Sequence, residues 1–108
     1  MKITDIRTIV VGNPWKNWVF VIVETSDGIS GLGEATGGLS TMPNKEAVEE
    51  IKHLAIGKNP LEISNIVDEL YKAVMLKITP AISAIEIACW DILGQHLNCL
   101  LYTSDAAD

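Results

Sequence analysis

Five residues carry side chains suited to binding: Trp15, Lys16 and Asn17 in the segment GNPWKN, and Ser40 and Thr41 in the segment TGGLSTMPN. They supply an aromatic surface, a cation, an amide and two hydroxyls. Such groups recognise a ligand by hydrogen bonding and contact; none of them is a bond-making apparatus. Both segments are rich in turn residues and have no obvious duty in a core, and loops on a rigid scaffold often hold binding residues. Alternatively, Trp15 and Met42 pack on neighbouring protein and Lys16 is simply solvated.

Bond-making chemistry is hard to find. Gly31-Leu32-Gly33 lacks the third glycine and the following helix of a dinucleotide fingerprint. His53 and His96 lie far apart and in no metal-ligand spacing, so both are expected at a surface or interface. Glu46, Glu49 and Glu50 fall at helical spacings of three and four, which suits a solvated helix face better than a metal site. Cys89 has no histidine nearby to activate it and sits on an apolar helix stripe, as a buried thiol would. The sequence therefore predicts no catalytic residue and no metal ligand in this chain.

The elements that must position the two loops follow from periodicity. Ile3 to Val11 is β-branched and partly alternating, a strand. Trp18 to Thr25 is a second strand, apolar enough to predict cover on both faces. Asp27-Gly28 supplies the tight turn into a third strand, Ile29 to Glu34. Gly31 and Gly33 point to one side of that strand, which predicts a close approach to another backbone. In an antiparallel meander of these strands, the loops after the first and third leave on the same side.

A helix is predicted after Asn44, running to about Ala55 and capped by Gly57. Asn59-Pro60-Leu61-Glu62 reads as the next helix start, with Asn as N-cap and Pro in the first position. Ile63, Ile66, Val67, Leu70, Tyr71 and Val74 then form an amphipathic stripe. Pro80 to Leu97 is a helix that is apolar nearly all round, the pattern of a helix covered on all sides. Nothing later in the sequence could supply the second cover. Strands followed by helices indicate an α+β fold: a three-stranded meander, then a bundle of about three helices.

Composition narrows the function classes. A chain of 108 residues accommodates one small domain. Its net charge of −6 and lack of a basic cluster argue against a nucleic-acid partner. Glu86 and Asp91 disqualify the best candidate for a membrane span, and the opening MKITDIR is charged where a signal peptide would be apolar. A cytoplasmic protein is expected. The final ten residues, Cys99 to Asp108, resemble codon by codon the translation of a transposon-type sequencing adapter. The expected natural domain is therefore 1–98, with 99–108 an artefactual tail.

Several motifs together resemble the N-terminal domain of the mandelate racemase and muconate lactonizing enzyme group of the enolase superfamily. They are VETSDGISGLGEA at Val23 to Ala35, IGKNP at Ile56 to Pro60, Leu70-Tyr71, and SAIEIACWDI at Ser83 to Ile92. The resemblance implies an enolase N-terminal domain-like fold that caps a (β/α)-barrel, here missing, and a last helix that runs into that barrel. It implies a magnesium-dependent parent enzyme that abstracts a proton next to a carboxylate, with every metal and acid/base residue on the barrel. The small carboxylate substrate would meet this domain only through its two loops. Trp15, Lys16, Asn17, Ser40 and Thr41 would then face the hydroxyls or distal carboxylate of a polyol acid. A sugar-acid dehydratase fits this best, with the fragment itself inert and the parent a homo-oligomer. Racemase or cycloisomerase activity remains open, as does a standalone α+β interaction module that uses the apolar helix.

Overall fold

The computed structural model describes residues 1–12, 17–36, 41–74 and 79–107. Three strands, β1 (Ile3–Gly12), β2 (Asn17–Thr25) and β3 (Ser30–Glu34), form an antiparallel sheet in the order β1-β2-β3. Three α-helices follow: α1 (Thr41–Ile51), continued by a 3-10 turn at Lys52–Leu54, then α2 (Ile63–Val74) and α3 (Thr79–Ala107). The predicted α+β meander and helices are thus present.

The β2–β3 turn forms as Asp27-Gly28 predicts. Gly28 has φ +83°, the left-handed region open to glycine. The Thr25 hydroxyl donates to the Ile29 carbonyl at 2.7 Å and closes the turn. One face of the sheet carries Ile6, Val19, Val21 and Val23 into the core, against Val48 and Ile51 of α1, Ile66 and Leu70 of α2, and Ile82, Ile85 and Ile92 of α3.

Helix α3 makes the closest contact with the sheet. Gly31 and Gly33 face the backbone of Ala88 and Ala84, and a Cβ on either glycine would fall inside the helix carbonyls. The periods match: four helical residues rise about 6 Å, and two strand residues about 6.6 Å. Two glycine–alanine contacts therefore fit side by side. Just beyond them, Asp91 accepts from the Leu32 N–H at 2.8 Å and Gln95 donates to the Ser30 carbonyl at 2.7 Å. Two side chains one helical turn apart thereby occupy two polar groups on the free edge of β3, an edge that would otherwise invite another strand.

Four elements differ from expectation. The outer face of β2 is only half-buried (Trp18, Phe20, Ile22, Glu24), because among the described residues all helices pack on the other face. Helix α1 begins at Thr41 rather than after Asn44, since Pro43 is tolerated in a first turn. Helix α2 begins at Ile63 rather than at Pro60. The Asn59 side chain accepts from Leu61 N–H at 2.9 Å and its carbonyl accepts from Glu62 N–H at 3.0 Å, which makes a separate turn before the helix. Helix α3 continues through Ala107, with neither Gly nor Pro after Gly94 to stop it. Gly57 does end the α1 segment with φ +91°.

Candidate functional site

The register of the sheet brings the two loops to one end. Gly12 and Asn17 form the last β1–β2 pair, and Asn17 is exposed with its amide oxygen folded over Gly12. On the other side of β2, Phe20 pairs with Glu34, and the pairing runs one step further through Ala35 N–H to the Val19 carbonyl at 2.8 Å. The Val19 N–H donates to the Thr36 hydroxyl at 3.1 Å. Both chain segments therefore leave the sheet beside the start of β2.

Asn44 secures the second segment from the helix side. Its amide donates to the Ala35 carbonyl at 2.8 Å, and the residue is only 9% exposed. It shares a helix stripe with the buried Val48 and Ile51, where an apolar residue would serve the core. The polar interruption of that stripe is the signal in the sequence for a buried anchor, although Asn44 taken alone reads as the end of a loop. Of the five predicted binding residues, Asn17 stands at this sheet end and Thr41, half-buried, opens α1 three residues before Asn44. Trp15, Lys16 and Ser40 lie outside the described residues.

The acidic residues of α1 divide in two. Glu46 and Glu50 are exposed, as a solvated face predicts. Glu49 instead accepts from the Thr8 hydroxyl at 2.9 Å and pairs with Lys52 at 2.9 Å, and Lys52 donates to the Ile6 carbonyl at 3.3 Å. The hydrogen bond to Lys52 holds the Glu49 carboxyl below its usual range and holds the Lys52 ammonium above its own. This network ties α1 to β1. Among the described residues no group of three or more His, Cys, Asp or Glu side chains could hold a metal ion. The donor set here therefore does not fit a magnesium site.

Cys89 is fully buried, and loss of solvent pushes its thiol up to about 11, with Glu86 adding to the effect. It stays protonated and unreactive at neutral pH. A polar surface cleft of about 500 Å³ is lined by Lys58, Asn59, Glu62, Asn65, Glu69 and Lys72. It lies at the far end of the sheet, because the Lys58 carbonyl accepts from Ile3 N–H, and the Lys58–Glu69 ion pair spans it. No described helix is long and apolar enough to cross a membrane.

Helix α3 presents a second distinctive surface. Ile82, Ile85, Cys89 and Ile92 are buried against the rest of the domain, but Ile87, Trp90 and Leu97 are 51%, 56% and 48% exposed. Their spacing of three and seven places them on one face, with Gly94 between them. The apolar circumference read in the sequence is thus half covered within the described chain.

Residues 6–103 match the family described as mandelate racemase / muconate lactonizing enzyme, N-terminal domain. A D-galactonate dehydratase family member from Oceanicola granulosus is 37% identical over 107 residues, covering 94% of this chain and 26% of that protein. The D-xylonate dehydratase of Haloferax volcanii is 35% identical over 108 residues, with 94% and 25% covered. The solved dipeptide epimerase from Enterococcus faecalis superposes with a TM-score of 0.81 at 28% identity, covering 90% of this chain and 30% of that one. The chain spans about a quarter of the length of the curated relatives it matches. With its meander, its helices and nearly its whole length matched, the chain belongs to the mandelate racemase and muconate lactonizing enzyme N-terminal domain family of the enolase superfamily.

Proposed function

We propose that this chain is the substrate-capping domain of a longer, magnesium-dependent sugar-acid dehydratase. The observation that carries this is the convergence of both loop bases at one end of the sheet, beside the start of β2. The D-galactonate and D-xylonate dehydratases among the relatives support the substrate class. Residues 1–98 would be the natural domain. The exposed Ile87–Trp90–Leu97 face of α3 would pack on the barrel that carries the metal and the acid/base groups. Apolar side chains this exposed are the mark of a contact surface.

On this reading the chain's own residues bind and orient; they move no proton. Lys16, Asn17, Ser40 and Thr41 hydrogen-bond the distal hydroxyls or carboxylate, and Trp15 excludes water from the end of the site. The enzyme would work in the cytoplasm as a homo-oligomer. The likeness to a dipeptide epimerase favours a second reading, an isomerase of the same superfamily. The test is the full-length enzyme assayed against aldonic acids and dipeptides. Loss of water from an aldonic acid supports the first reading, and epimerisation alone supports the second. Lys16→Ala should then lower kcat/KM by about tenfold to a hundredfold, the value of one charge-assisted hydrogen bond. Unchanged kinetics would remove Lys16 from the site.

A further inference from the structure

We infer that Asn44 is a positioning residue for the capping loop, fixing the Ala35–Thr36 peptide that launches it and so setting the enzyme's affinity for the distal end of its substrate. This rests on the capping reading above. Every polar handle of Ala35 is taken: its N–H by the Val19 carbonyl and its carbonyl by the Asn44 amide. The Thr36 hydroxyl is taken by the Val19 N–H. Ala35 and Asn44 are both buried, so these bonds are shielded from competing water.

The other buried residues of that helix, Ala47, Val48 and Ile51, are all aliphatic, so Asn44 is the polar exception on the stripe. A buried amide that donates to the chain entering the loop fixes that peptide at a cost in burial. Thr41 stands one turn before Asn44 on the same helix, so the anchor also fixes a predicted binding residue. Small displacements of substrate-positioning groups cost up to about a hundredfold in rate.

The other buried polar residue among those described is Thr25, whose hydroxyl closes the β2–β3 turn at the opposite end of the sheet. It offers a control of similar kind, remote from the loops. The experiment compares Asn44→Ala, Thr36→Val and Thr25→Val in the full-length enzyme by melting temperature and by KM and kcat on six-carbon aldonic acids. Glycerate, a hydroxy acid with no distal chain, serves as a competitive inhibitor. All three variants should melt lower than wild type. Asn44→Ala and Thr36→Val should also raise KM by about tenfold while glycerate binds as in wild type; Thr25→Val should leave KM unchanged. If Asn44→Ala does not fold, Thr36→Val alone carries the comparison. The inference fails if the loop-anchor variants match Thr25→Val in KM, or if glycerate binding weakens in parallel. A wild-type enzyme that turns over no aldonic acid overturns the sugar-acid reading first, and with it the form of this inference that sets affinity for a polyol chain.

Discussion

Gly33→Ala tests the contact on which the architecture depends. The added Cβ would meet the Ala84 carbonyl oxygen, its carbon and its Cα, all backbone atoms that cannot rotate away. The helix must retreat from the sheet, and a shift of 0.5–1 Å already forfeits about a quarter to a half of the dispersion well of each contact. Overpacking of this kind typically costs ~1–3 kcal/mol. Restricting the unfolded chain returns ~0.4–1 kcal/mol. With backbone as the obstacle, a net loss of about 2 kcal/mol is expected, or a fall of about 1–2 M in the urea midpoint for a chain of this size. Gly28→Ala is the matched control. It meets nothing within 4 Å, and its φ of +83° leaves only backbone strain, worth about 1–2 kcal/mol. Adding Ala84→Gly to Gly33→Ala should not restore stability, because the clashing carbonyl remains and a helical glycine costs about 1 kcal/mol more. A Gly33→Ala midpoint at or above wild type would refute the close contact. Restoration by Ala84→Gly would show the obstacle to be a methyl group rather than backbone.

Three further outcomes are expected. Trp90→Glu, at a position 56% exposed, should change the stability of the chain by no more than about 0.5 kcal/mol, yet reduce binding of an apolar-surface dye; unchanged dye binding would mean that this α3 face is not the sticky surface. Glu49 has a folded pKa below its ordinary 4.5, so its contribution is present above about that pH and is lost as pH falls through the folded value. Lys52, raised above 10.5, contributes below that pH and loses its share as pH rises through its folded value. Urea midpoints between pH 7 and 3 should therefore fall less steeply in Glu49→Gln than in wild type, and identical slopes would dismiss the network. The Cys89 thiol ionises at about 11 instead of 9.0, so stability should drop between those values as the unfolded thiol ionises first. Iodoacetamide at pH 8 should label Cys89 only in urea, as read by peptide mass; labelling of the folded chain would contradict its burial.

The strands and the α3 contact were legible in sequence because each rests on a local rule. Asp27-Gly28 demands one turn chemistry, and Gly31 and Gly33 are two residues apart on one face, which leaves close packing as their use. The start of α2 was not legible. Asn59-Pro60 obeys the rule for a helix N-terminus, but its side chain and carbonyl close a separate turn, and only the burial of Pro60 against the core selects that alternative. Cover on the outer face of β2 is less than its apolarity predicts for a related reason. Continuous apolarity measures what a strand could bury, whereas what it does bury depends on where the helices lie. The role of Asn44 is not legible in sequence, because a polar residue near a helix start suggests a loop or a cap. Its long-range partner, the Ala35 carbonyl nine residues earlier, becomes visible only once the chain is folded.

The two faces of α3 give the domain its logic. The inner face needs small residues, Ala84 and Ala88, because the strand beneath offers only glycines and the backbones nearly touch. Such a contact tolerates little sliding: each alanine carbonyl sits in a recess one residue wide, and Asp91 and Gln95 lock the register further along. The outer face leaves Ile87, Trp90 and Leu97 exposed, the surface proposed above to pack on the barrel. A body docked there is held in fixed relation to β3. From β3, the chain reaches the Ala35–Thr36 anchor in a single residue. Glycine in the strand thus brings the α3 backbone against β3, one residue from the loop base, and that close approach is a reason for a small domain to use the least stabilising residue in its edge strand.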